Sequence, residues 1–140
     1  MQKVTFSPHL YNTVACLIVR IPKHWHITPI LMSLHWLPIL QRIDYKILLM
    51  VYKALNGLAP AYISDMLEYK PESKYLLCSD SQSLLVVPKP STALYGDRDF
   101  RNVAPKMWNV LPYDLRICSE ETAFKQQLKT HLYREAYGDA

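Results

Sequence analysis

The chain has 140 residues, 50% of them hydrophobic and 20% charged, enough apolar material for one ordinary domain with its own core. Three glycines against ten prolines, spread along the chain, exclude a long flexible linker. A formal charge of +4 and a pI near 8.9 permit a nucleic-acid or acidic partner without requiring one, since like charges never run five in a row.

Residues 1–7 read as a short extended start. Ser7-Pro8 suits an N-cap and first helical residue, after which Leu10, Val14, Leu17, Ile18 and Ile21 share one face until Pro22 ends the helix. Thr28-Pro29 is a second cap-plus-proline start, for a short helix carrying Ile30, Leu31 and Leu34. The strongest element follows. Pro38 fits the first helical position, where its missing N–H costs nothing. Ile43, Ile47, Val51 and Leu55 recur every four residues, widened by Leu48 and Ala54, with Tyr45 and Tyr52 half-buried beside them. Asn56-Gly57 supplies a left-handed stop, and Pro60 stands just beyond it.

Ala59-Pro60 opens a short helix in which Tyr62, Ile63, Met66 and Leu67 are apolar. From Lys70 to Pro90 helical periodicity gives way to serines, prolines and charges. Leu84–Val87 is a brief β-favouring run ended by Pro88, and Ala93–Tyr95 could pair with it in a small hairpin. Asp97 or Asp99 can cap a helix through Phe100 and Val103 that Pro105 kinks or restarts before Met107 and Trp108. Leu111-Pro112 makes a turn. Ser119 caps a last helix with Phe124, Leu128 and Leu132 at four-residue spacing, and Glu120 and Glu121 favour its positive end. Trp36 and Trp108, among apolar neighbours, read as core, and Trp25 is uncommitted. The expected fold is mostly α: one domain over 1–140, with N-terminal helices over 8–69, an irregular middle over 70–96 open to a β-hairpin, and C-terminal helices over 97–137.

Cys16, Cys78 and Cys118 are odd in number and lack a CxxC pair, which fits neither a disulfide framework nor zinc-ligand spacing. A reduced, intracellular setting is expected, without a choice between nucleus and cytoplasm. Val14–Val19 is too short for a signal-peptide core, and Ile47–Val51 is far from the roughly 20 residues that span a bilayer, so the chain reads as soluble.

Catalytic templates fail in turn. Gly57, Gly96 and Gly138 are isolated and build no phosphate loop. His24 and His26 form the only close histidine pair, with nothing nearby to complete a metal site, and read as ordinary loop residues. Cys118 with a distant histidine is a nucleophile pair in arithmetic only. In Tyr95-Gly96-Asp97-Arg98, which superficially matches a polymerase Tyr-x-Asp-Asp turn, Arg98 stands where a second metal-binding carboxylate would be needed. Asp97 and Asp99 fit capping better than catalysis. No activity, cofactor, metal or small-molecule substrate is expected of the chain by itself.

Binding signals are softer. Arg42, Lys46 and Lys53 lie on one stripe of the long helix at offsets of four and seven, and Lys125 and Lys129 repeat the pattern on the last one. Such a stripe can track phosphates, and it can equally be a solvated helix face. Ten tyrosines offer stacking platforms, though most, Tyr45 and Tyr52 included, read as packing residues.

The segment Leu34–Pro60, LHWLPILQRIDYKILLMVYKALNGLAP, resembles a stretch near the C-terminus of reverse transcriptases from LINE-type (non-LTR) retrotransposons. Its lead-in His26-Ile27-Thr28-Pro29-Ile30-Leu31 is similar too, as is Tyr62-Ile63-Ser64-Asp65-Met66-Leu67 after the turn. Tyr95-Gly96-Asp97-Arg98 and then Ala104-Pro105-Lys106-Met107-Trp108-Asn109-Val110-Leu111-Pro112-Tyr113-Asp114-Leu115-Arg116 resemble a second conspicuous block of that family. Phe124-Lys125 through Leu132 looks like its closing helix. The resemblance runs in order over residues 8–140. It departs near Cys16 and at Leu77-Cys78, where the family often carries arginine.

In such elements the polymerase palm and its metal-binding aspartates lie upstream, and any endonuclease domain of the jockey-like elements lies further upstream still. The resemblance therefore implies a non-catalytic, thumb-like C-terminal portion of an RNA-directed DNA polymerase that helps hold an RNA–DNA template–primer duplex. On that reading Arg42, Lys46, Lys53, Lys125 and Lys129 are the nucleic-acid-binding candidates. The alternative is a non-catalytic structural or protein-interaction module that docks through exposed apolar surface, or a decayed element-derived protein without retained activity.

Overall fold

Prolines start three helices of this protein, and left-handed residues stop several. The computed structural model describes residues 8–20, 22, 26–70, 83–89 and 99–138, of which 68% are helical. Seven helices follow in order among them: α1 (Pro8–Val19), α2 (Ile27–Ser33), α3 (Ile39–Leu55), α4 (Ala61–Ser64), α5 (Phe100–Val110), α6 (Tyr113–Arg116) and α7 (Glu121–Tyr137). Pro38, Pro60 and Pro112 are the N-caps of α3, α4 and α6. Pro38 thus stands one position before the helix, at φ −57° and ψ 160°, and its carbonyl accepts the first intrahelical bond from Arg42 N–H at 3.0 Å. At either position its missing N–H removes no helical bond.

Helix α3 ends as the Asn56-Gly57 pair predicts. Gly57 is left-handed at φ +69°, and the N–H groups of Gly57 and Leu58 donate to the carbonyls of Ala54 and Lys53 at 3.4 and 2.8 Å. That is the paired Schellman arrangement. Helix α2 stops the same way without a glycine. His35 takes φ +52°, while His35 and Trp36 N–H donate to Met32 and Leu31 carbonyls at 3.0 and 2.8 Å. A histidine there costs about 1–2 kcal/mol of backbone strain that a glycine would not.

The main core is the junction of α3, α5 and α7. Phe124 is fully buried, its ring 4.2 Å from Tyr52 and nearly parallel to it at 15°, and 6.1 Å from Trp108. Leu48, Val51, Ala104, Leu111, Leu115, Leu128 and Leu132 close around this trio. A smaller cluster joins α1 to α2 through Tyr11, Ala15, Cys16, Ile30 and Leu31. Tyrosines tie the two clusters together. From α7, the Tyr133 hydroxyl donates to Met32 O at 3.1 Å and the Tyr137 hydroxyl to Trp36 O at 2.8 Å. From α1, the Tyr11 hydroxyl donates to Leu37 O at 2.8 Å.

Several expectations are corrected. The face of α1 marked out by Leu10, Val14, Leu17 and Ile18 points to solvent, with Leu17 68% exposed, and the helix buries Tyr11, Ala15 and Cys16 instead. No charged residue occurs between Pro8 and Val19, so periodicity has two apolar faces to choose from. The small side chains of Ala15 and Cys16 suit close approach to α2, and Tyr11 finds a carbonyl for its hydroxyl. On α3, Ile43 is 52% exposed, whereas Tyr52 is fully core rather than half-buried. Trp36 is only partly buried against the smaller cluster.

Pro105 does not interrupt α5, which runs unbroken past it. The carbonyl it leaves without an intrahelical partner belongs to exposed Arg101, where water can satisfy it. The caps shift slightly: His26 rather than Thr28 precedes α2, and Glu120 rather than Ser119 precedes α7. Asp99 is the N-cap of α5, without a side-chain capping bond.

Among the described residues there is no strand, only an isolated antiparallel bridge between Leu85 and Tyr69. Lys70 N–H donates to Leu84 O and Val86 N–H to Glu68 O, each at 2.8 Å. On the other side of Leu85 a side chain stands in for a strand. Leu85 N–H donates to Asn109 Oδ1 at 2.8 Å, and Asn109 Nδ2 returns a bond to Leu85 O at 2.9 Å. Trp108 Nε1 donates to Ser83 O at 3.1 Å. The proposed partner Ala93–Tyr95 lies outside the described residues, as do residues 1–7, Ile21, His24, Trp25, Cys78 and Asp97.

Candidate nucleic-acid interface

Helices α3 and α7 pack side by side and run in opposite directions. Lys53 near the end of α3 meets Glu121 at the start of α7, and Lys46 shares a groove with Lys129 further along. This pairing divides the five cations singled out in the sequence.

Arg42 and Lys46, one turn apart on α3, line an open groove with Lys129 of α7. None of the three is ion-paired among the described residues. The groove encloses about 660 Å³. Leu10, Tyr11 and Val14 of α1 form one wall, the loop His35–Trp36–Leu37 another, and Tyr45 of α3 lines the groove beside the two α3 cations. Its described lining therefore carries three fixed positive charges, four aromatic rings and no carboxylate.

The aromatic part is held rigidly. The Tyr11 ring stacks on Trp36 at 5.3 Å and 25°, and Arg42 Cζ lies 4.8 Å from the Tyr11 centroid, a cation–π contact. His35 stacks on Tyr133 at 6.0 Å, and Tyr133 packs on Tyr137 at 4.7 Å. Burial first, then neighbouring Tyr133 and Tyr11, push the Tyr137 phenol up to about 12. It thus remains a hydrogen-bond donor to Trp36 O across the physiological range. The left-handed His35 that ends α2 belongs to this same loop, so backbone strain lies in the groove wall.

Lys53 and Lys125 are arranged differently. Both reach Glu121, at 3.3 and 2.6 Å. Hydrogen bonds from Lys125 and then Lys53 hold the Glu121 carboxyl below the usual carboxylate range. Lys53 also stands eleven residues beyond Arg42, about 16 Å along the helix axis. The stripe is continuous on a helical wheel, but a carboxylate from another helix occupies one end of it.

Tyr11, His35, Trp36 and Tyr45 join the cations only in the folded chain. Tyr45 had a signal in the sequence, since it lies between Arg42 and Lys46 along the chain. Tyr11 had none, because only the docking of α1 brings it to a loop 25 residues away. On the opposite flank of the α3–α7 pair a smaller hollow of about 370 Å³ has mixed character, lined by Asp44, Lys106, His131 and Glu135 with apolar neighbours. Burial, and then Glu135, raise the Asp44 carboxyl. That flank is the less suited to a polyanion.

Other sequence candidates remain apart. The Cys118 thiol donates to Glu120 O at 3.5 Å, and His26 is the exposed N-cap of α2. Among the described residues no group of three or more His, Cys, Asp and Glu could hold a metal ion. No helix there is long and apolar enough to cross a membrane. Comparison of the chain with protein-family models, with curated proteins and with solved structures gives no match.

Proposed function

We propose that this chain is a non-catalytic, thumb-like C-terminal portion of a LINE-type reverse transcriptase and that it holds nucleic acid. The observation that carries the binding half is the groove in which Arg42, Lys46 and Lys129 converge from two helices with no carboxylate in the described lining. Cations so placed gain from a phosphate backbone chiefly by releasing its condensed counterions. The ancestry half rests on the blocks Leu34–Pro60 and Ala104–Arg116. The test is binding of an RNA–DNA duplex to the purified protein as a function of salt. The slope of log affinity against log salt should fall in magnitude by about 0.7–0.9 for each phosphate-binding cation removed, hence by about 2–3 in the R42A/K46A/K129A variant. Helicity should persist, because all three residues are at the surface. The K53A/K125A variant should keep most of the slope, since Glu121 already neutralises part of that pair. Equal slopes for wild type and the triple variant would remove the groove from the interface.

A second reading has its own observation. Leu10, Val14, Leu17 and Ile18 form an exposed apolar face on α1, the kind of surface that docks a protein. Sedimentation of wild type beside an L10S/L17S/I18S variant tests it. Self-association abolished by the variant supports the module reading, and a monomer in both cases removes self-docking through that face.

A further inference from the structure

The proposed duplex contact leaves most of the groove unexplained. A duplex presents phosphates and sugars to a protein surface, and three cations suffice to meet them. It would leave Leu10, Val14, Tyr11, Trp36 and Tyr45 facing a polar backbone. Unpaired nucleotides differ in offering the faces of their bases. Open grooves that take single strands combine tracking cations with aromatic platforms, which is the combination lining this one.

We infer that the groove takes unpaired nucleotides of a single strand, with base faces against Trp36 and Tyr45 and phosphates against Arg42, Lys46 and Lys129. The inference rests on the nucleic-acid reading and specifies the substrate form at the same site. Three features support it. Trp36 is partly buried and already backed on one side by Tyr11, so a base can stack on it without first ordering a mobile ring. Tyr45 lines the groove with Arg42 and Lys46, so a platform and two phosphate contacts fall within little more than a turn of α3. The volume of about 660 Å³ is of small-ligand size, room for about one or two nucleotides rather than a long tract.

The experiment compares three probes on the full chain: a short oligothymidylate, the same strand with abasic residues throughout, and a blunt duplex of equal length. Fluorescence anisotropy at low and moderate salt reads the affinities. The intact strand should bind at least about tenfold more tightly than the abasic one, because base–aromatic stacking disappears while every phosphate remains. It should also outcompete the blunt duplex. Tyr45→Leu should shrink the gap between intact and abasic strands while leaving the salt slope unchanged. Trp36 emission should be quenched by the intact strand and unaffected by the abasic one, and a Trp36→Leu variant assigns that signal against Trp25 and Trp108. Equal affinity for intact and abasic strands with the salt slope retained would overturn the stacking inference and leave the phosphate-binding function standing. A preference for the blunt duplex would do the same. Absence of salt-dependent binding to every probe would overturn both.

Discussion

Phe124 offers the sharpest test of how this fold is held together. Its ring is fully buried on α7, stacked at 4.2 Å on Tyr52 of α3 and set 6.1 Å from Trp108 of α5, so one side chain touches all three main helices. Phe124→Ala removes the buried ring and opens a cavity, a change that costs about 3–5 kcal/mol. Phe124→Leu keeps most of the volume and gives up two aromatic pairings, each worth about 0.5–1.5 kcal/mol, for a total of about 1–3 kcal/mol. Against a domain stability of about 5–15 kcal/mol, the alanine variant forfeits a large fraction of the whole. Urea titration followed by circular dichroism and tryptophan emission measures both. The midpoint should fall in the order wild type, F124L, F124A, with the slope unchanged if unfolding stays two-state. A cost under about 1.5 kcal/mol for F124A, or no difference between the two variants, would refute a core centred on this aromatic trio.

Four further outcomes follow from the same geometry. Leu17→Ser should change stability by less than about 0.5 kcal/mol and Ala15→Leu should cost about 1–3 kcal/mol, the reverse of what the apolar pattern of α1 implies; chemical denaturation of the pair checks it. Gly57→Ala should cost about 1–2 kcal/mol in the same assay, entirely from the left-handed backbone, because a Cβ there meets nothing within 4 Å. Asn109→Ala should cost about 1–3 kcal/mol, since it strips partners from both the N–H and the carbonyl of Leu85, and amide exchange at Leu85 should quicken. The Tyr137 phenol is raised to about 12 from an ordinary value near 10, so its burial as a neutral group adds stability below pH 10 that is lost as pH rises toward 12. The stability advantage of wild type over Tyr137→Phe should therefore shrink across that window in urea melts at stepped pH.

The sequence by itself determined where the long helices begin and end to within a residue or two, because those signals are local. Proline before a helix removes no bond, an Asn-Gly pair offers the left-handed stop, and a four-residue apolar repeat survives as Phe124, Leu128 and Leu132 in the core. It also carried the cations of α3 and α7, since their spacing is written along single helices. What it could not settle was any choice between two acceptable faces or partners. Helix α1 carries no charge and has apolar residues on more than one face, so only its contact with α2 selects Ala15 and Cys16 over Leu17. Leu85 took Tyr69 and the side chain of Asn109 as neighbours, the latter across 24 residues that no local pattern bridges. His35 accepts a conformation suited to glycine because the surrounding loop, and not its own preference, holds it there. The division of the five cations was likewise a tertiary decision. The antiparallel packing of α7 on α3 brings Glu121 to Lys53 and Lys129 to the groove of Arg42 and Lys46, and a helical wheel contains neither contact.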